Sequence, residues 1–237
     1  AALARGVVAV LPVGSTEQHG PMGLIGTDAI CAQAVADRAG EQADALVLPT
    51  LAYTPAPFNT AFPGTISITP KLLCDQVVEI CEQALAQGIL GIYALNGHGA
   101  NLAPLAEAQA RLPKEALRVQ SWWAPEPVDA LRKNLYGPWE GMHATPSEVA
   151  ITQHLHGAKP AGAAARPPEQ LNSDYMRAHA GDRHGPPLEH RAQFPDGRVG
   201  SHSALASPEA GAEVLEVAVA AIAKELQAFC EERRATR

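Results

Sequence analysis

Glu17, His19 and Asp28 are side chains of the kinds that hold metal ions. They crowd into one stretch, Gly14-Ser-Thr-Glu-Gln-His-Gly-Pro21 followed by Gly26-Thr-Asp28. A fourth, His98, sits in Asn96-Gly-His-Gly-Ala-Asn101. Mixed imidazole and carboxylate donors suit Zn first, with Mn or Fe(II) as alternatives, and suit Ca poorly because it prefers oxygen throughout. Asp28 stands at the start of an expected helix, where its two oxygens can bridge two cations. Two divalent ions sharing a carboxylate would lower the pKa of a bound water and polarise a carbonyl oxygen, as amide hydrolysis requires.

A further cluster runs Trp139-Glu-Gly-Met-His143-Ala-Thr-Pro-Ser-Glu148. His143 is a candidate proton shuttle, since imidazole titrates near neutrality. Glu148 is a candidate metal ligand, or a carboxylate just behind the metals. Trp123 and Trp139, with Trp122, could wall a pocket for a small planar substrate. Each residue alone also has a structural reading. Asp28 and Glu148 can simply favour a helix N-terminus; His98 can be a turn residue, His143 a surface one, and the tryptophans core or interface. Two strand ends that both deliver ligand-type residues favour the metal reading.

The elements that must position these residues follow from hydrophobic period. Val7–Val13, Ala45–Leu48, Ile89–Leu95 and Leu117–Ser121 read as strands. Asp28–Ala39 reads as a helix capped by Thr27 and stopped by Gly40. Pro70 opens a helix to about Gln87, Asn101–Leu112 forms another, and Ser147–His156 a third. Residues 124–141 read as a loop with a short helix. Residues 157–206 show no sustained period and read as an irregular excursion, either a cover over the site or a packing segment. A long amphipathic helix closes the chain from Pro208 to about Arg233. The alternation of strand and helix predicts an α/β fold, three layers α/β/α around a mostly parallel sheet, in one domain over 1–237. Strand C-termini then share one edge, so Glu17, His19 and His98 converge there.

Of 237 residues, 46% are hydrophobic and 18% charged, an ordinary globular balance. A net charge of −7 argues against nucleic-acid binding. No apolar window is long enough to span a bilayer. The first residues lack the order of a secretory signal, and Cys31, Cys74, Cys81 and Cys230 form no CxxC pair, so a reducing cytoplasm with unpaired thiols is expected.

Taken in order, Gly14–Pro21, Gly26–Asp28, Phe62-Pro-Gly-Thr-Ile-Ser67, Asn96–Asn101 and His143–Glu148 resemble the creatininase family of metal-dependent amidohydrolases. The resemblance implies a metal-dependent amidohydrolase with two divalent ions at the C-terminal strand edge. It assigns Glu17, Asp28 and His98 to one ion and His19 and Asp28 to the other. It makes His143 the proton-transfer histidine, puts Trp123 and Trp139 beside a small-molecule substrate, and implies a homo-oligomer, commonly a hexameric ring. Creatininase itself carries a second-ion glutamate two residues after the histidine of Asn-Gly-His; here that position is Ala100, so the second site is short of a carboxylate. Met142 likewise replaces an acidic residue. Both changes turn the expectation away from creatinine, towards another small cyclic or linear amide. A short peptide in cofactor maturation is a second substrate class, and a metal-binding member without catalysis a third reading.

Overall fold

The structure, a computed structural model, describes residues 6–236; the stretch read above as lacking a secretory signal lies mostly outside them. Among the described residues four strands, β1 (Ala9–Val13), β2 (Leu46–Val47), β3 (Ile92–Asn96) and β4 (Leu117–Ser121), form an all-parallel sheet in the order β2-β1-β3-β4. The chain leaves β1 for one side and then crosses to the other. The C-terminal ends of β1 and β3 therefore flank the switch point, where open α/β sheets form a crevice.

Among the described residues there are eight α-helices, in chain order α1 (Thr27–Gln42), α2 (Pro70–Ala86), α3 (Leu102–Arg111), α4 (Glu126–Tyr136), α5 (Pro146–His156), α6 (Ser173–Ala178), α7 (Pro187–Gln193) and α8 (Pro208–Ala235). Alternate residues of β1 face opposite layers. Val10 joins Tyr93, Leu95 and the apolar faces of α1 and α8. Ala9, Leu11 and Val13 join Ile92, Ala94 and the faces of α2 and α3. This two-sided burial is why the strands read as nearly continuous apolar runs. α8 packs along α1, α4 and α5 and completes one outer layer. All four cysteines are buried and unpaired.

Several boundaries move. β1 and β3 begin two and three residues later than the apolar runs, and β2 is one residue shorter at each end. Gly40 does not stop α1, which continues to Gln42. A Cβ at Gly40 would lie 2.4 Å from Val47 Cγ2, so the glycine admits close helix–strand contact instead. The N-cap of α1 is Gly26, at φ 86°, and Thr27 is the first helical residue. The Thr27 hydroxyl still closes the turn, accepting from Leu24 N at 3.1 Å and donating to Leu24 O at 2.7 Å. The 157–206 excursion is not wholly irregular: it holds α6 and α7, each too short to show a helical period.

Candidate metal centre

The site is built where β1, β3 and the first turn of α1 meet. Two glycines make that meeting sterically feasible. A Cβ at Gly14 would lie 2.3 Å from Ala29 Cα, and one at Gly97 would lie 2.4 Å from Asp28 O. Both strand ends therefore close on the turn that carries Asp28. Neither Gly97 nor Gly99 adopts positive φ, so their role is space and not left-handed backbone. Asn101 Nδ2 then ties the β3 loop to the end of β1, donating to Gly14 O at 2.9 Å and Asn96 Oδ1 at 3.2 Å.

His98 Nε2 lies 2.8 Å from Pro55 O, which can only accept, so this nitrogen carries the proton. Nδ1 is left facing Glu17 Oε1 at 3.1 Å and Asp28 Oδ2 at 3.2 Å. Those two carboxylate oxygens are buried and have no hydrogen-bond donor. His19 repeats the arrangement. Its Nδ1 lies 3.2 Å from Glu17 O, and its Nε2 faces Asp28 Oδ1 at 3.0 Å and Glu148 Oε1 at 3.8 Å. Each histidine is thus held by a backbone carbonyl and points its other nitrogen at carboxylates, as metal-ligating histidines do. Asp28 gives one oxygen to each centre.

Lone pairs and anionic oxygens cannot converge in a dry pocket without positive charge among them. In the metal-free protein that charge is protons on the rings. Burial alone would lower the pKa of His19, but Asp28, Glu148 and Glu17 outweigh it and raise it to about 10. Burial would also lower His98, and Glu17 and Asp28 hold it well above the ordinary value. Burial works to raise Asp28, yet the two histidines hold its carboxyl far below the usual carboxylate range. Glu148 is raised to about 7, first by burial, against the lowering effect of His19. Divalent cations would replace the protons and satisfy the orphaned oxygens, so the donor set fits two metal ions. Among the described residues, Glu17–Asp28–His98, His19–Asp28–Glu148 and Glu17–His19–His143 bring ligand atoms within 4.8 Å of one another.

His143 enters from the loop before α5. Its Nε2 donates to Gln18 O at 2.7 Å, leaving Nδ1 3.5 Å from Glu17 Oε1. Gln18 Nε2 spends its two hydrogens on Asn59 Oδ1 and Gly197 O, while Asn59 Nδ2 donates to Glu17 Oε2 at 2.8 Å and lies 3.2 Å from His143 Nε2. Burial lowers the His143 pKa against the pull of Glu17. The excursion also braces this loop: Met142 N donates to Val199 O at 2.9 Å, and Ser201 Oγ donates to His143 O.

A family model described as creatininase, creatinine amidohydrolase, matches residues 1–226. The chain belongs to the creatininase family. A mycofactocin precursor peptide peptidase from Mycolicibacterium smegmatis is 36% identical over 152 residues, covering 62% of this chain and 57% of that protein. This chain therefore spans less than two thirds of that peptidase's length. A creatinine amidohydrolase from Pseudomonas putida is 27% identical over 238 residues, covering 91% and 87%. A crystal structure of creatinine amidohydrolase superposes with a TM-score of 0.78 at 26% identity, covering 94% of this chain and 90% of that one. A manganese form of creatininase superposes at 0.72 with 25% identity, covering 95% and 92%. A zinc–zinc form of a creatininase variant gives 0.72 and 25%, covering 94% and 91%.

Against the creatininase-family expectations, Glu17, His19, Asp28, His98, His143 and Glu148 all gather at one place. Glu148 keeps both of its readings. It forms the capping box of α5 with Thr145, whose N–H donates to Glu148 Oε1 at 2.6 Å, and that oxygen also faces His19. Ala100 lies in the 3-10 turn Gly99–Asn101 with no carboxylate to offer. Trp123 lines a cavity of about 230 Å³ with Asp28, His98, Met142, His143 and Glu148. Trp139 is not among that cavity's lining residues. His202 N donates to Trp139 O at 2.9 Å, and the Trp139 ring packs edge-on to His202 at 5.6 Å. Gln18, Asn59 and Asp182 also reach the site. Gln18 lay between two marked residues and could have been suspected; Asn59 and Asp182 carry no local signal.

Proposed function

We propose that the chain hydrolyses a carbon–nitrogen bond of a small cyclic or linear amide with two divalent ions bound. The carrying observation is the division of Asp28, one oxygen toward His98 and Glu17, the other toward His19 and Glu148. Glu17, Asp28 and His98 would hold one ion, and His19, Asp28 and Glu148 the other, Zn in preference to Mn or Fe. When bound, such a pair supplies Lewis acidity that activates water and polarises the carbonyl.

The protein's own groups do the rest. Gln18 O fixes the His143 ring with Nδ1 inward, and the lowered pKa keeps it neutral at pH 7. Nδ1 can therefore take a proton from the attacking water and pass it to the leaving nitrogen. Trp123 offers a flat wall to a planar substrate, and the small cavity suits a small molecule. Among the described residues no helix is long and apolar enough to cross a membrane. On this reading the protein works in the cytoplasm without nucleic acid. It assembles as a homo-oligomer, hexameric by resemblance, a reading supported by exposed Ile25, Tyr53, Ile66 and Leu72.

A short peptide is the second reading, favoured by the similarity to the mycofactocin precursor peptide peptidase. A screen of lactams, formamides and short peptides with added Zn²⁺ or Mn²⁺ separates the two. Turnover of none of them by metal-loaded protein would overturn both.

A further inference from the structure

Three carboxylates, not two, converge on His98. Besides Glu17 Oε1 and Asp28 Oδ2, Asp182 Oδ2 lies 3.6 Å from Nδ1. The ring's other nitrogen is committed to Pro55 O, so Nδ1 can donate one hydrogen at most. One proton cannot serve three anionic oxygens, and the Glu17 and Asp28 oxygens are buried without any donor.

Asp182 comes from the excursion, between α6 and α7, far from the motifs that mark the site. Three features place it there. Its backbone is left-handed at φ 54°, a conformation aspartate tolerates better than most residues, and Gly181 beside it is at φ 73°. Gly99 is cut away beneath it: a Cβ there would lie 2.2 Å from Asp182 Oδ2 and 3.4 Å from Asp182 N. Gly181 and Asp182 also form part of the cavity wall. The excursion is thus seated on the β3 loop by a glycine notch, with the Asp182 carboxylate aimed at the ligand histidine.

We propose that Asp182 is an additional acidic ligand of the Glu17–Asp28–His98 ion, and that this ion pins the excursion over the cavity. The proposal rests on the two-metal reading above. It makes ion binding and closure of the α6–α7 segment one event, because the same carboxylate serves both.

Mn²⁺ alone is a sufficient probe, with free ion counted by electron paramagnetic resonance in the full-length, metal-stripped protein. Asp182→Asn should weaken one of the two binding constants by about 10- to 100-fold, the range seen when groups supporting a ligand are lost. Gly99→Ala should do the same by displacing Asp182 without altering it. Trypsin supplies a readout independent of both binding and activity, since Arg177 and Arg183 lie on the segment. Mn²⁺ should slow cleavage after these arginines about tenfold or more in the unaltered protein and not in Asp182→Asn. If both variants bind Mn²⁺ within twofold of the parent, while Asp28→Asn does not bind it, the metal reading stands and Asp182 is no ligand. If the parent itself takes up no Mn²⁺, both inferences fall. Cleavage unaffected by Mn²⁺ in the parent would overturn the pinning.

Discussion

Stripped of metal, the protein should lose stability between pH 6.5 and about pH 8.5 and recover it on addition of a divalent cation. The perturbation acts on His19, whose Nε2 sits 3.0 Å from Asp28 Oδ1 in a buried pocket. Burial opposes its charge, but Asp28, Glu148 and Glu17 prevail and raise the pKa from 6.5 to about 10. A histidine raised in the folded state contributes stability that is complete below 6.5 and is lost as pH rises towards about 10. Across the chosen window the folded ring keeps its proton while the unfolded ring gives it up. Integrating that difference yields roughly 1.7 pH decades, or about 2 kcal/mol at ~1.36 kcal/mol per decade. For a domain of this size that corresponds to a fall of roughly 5–9 °C in melting temperature. His98, raised for the same reason, steepens the trend. The assay is scanning calorimetry in chelator, on the parent and on Asp28→Asn. The variant removes the principal partner of His19 and one of the two carboxylates that raise His98, and should flatten the slope, whereas Tyr93 titrates alike in the two proteins. A parent whose melting temperature is flat or rises across the window, or whose slope matches that of Asp28→Asn, would refute the argument.

Asp28→Asn should also cost both ions, at least about 100-fold in affinity for each, because one residue serves both centres; elemental analysis after gel filtration decides it. Glu148→Ala should lower occupancy of the His19 ion and cost about 1 kcal/mol of stability through the lost capping box; full metal content would exclude Glu148 as the carboxylate that stands in for Ala100. Ala100→Glu should tighten binding of the same ion, read by titration calorimetry, and unchanged affinity would mean that site is already complete. His143→Gln should leave metal content intact and reduce kcat by about 10²- to 10⁴-fold. Because burial lowers the His143 pKa, the acid limb of the parent's rate profile should lie below the ordinary histidine value.

The layers of the fold were legible because each face of β1 and β3 meets an apolar helix, leaving nearly unbroken hydrophobic runs that punctuation by Gly, Pro and Thr separates from the helices. The order of the strands was not, since β2 is two residues long and only pairing reveals on which side of β1 it lies. The end of α1 shifted for a related reason. Gly40 looks like a stop in one dimension, but in three it is the gap into which Val47 fits.

The chemistry of the site was fixed locally. Residue types and spacing in Glu17–Asp28, Asn96–Asn101 and His143–Glu148 were enough to single out six candidate residues and to expect Glu17, His19 and His98 to converge at one sheet edge. Which nitrogen of each histidine faces the carboxylates could not be read there, because the deciding partners are backbone carbonyls, at Pro55 for His98 and Glu17 for His19. Nor could the packing of Trp139 against His202, or the placement of Asp182, which reaches the site only because the excursion folds back over Gly99. Short motifs encode what side chains can do. Where each lone pair points depends on contacts made by distant segments, and those exist only once the layers have packed.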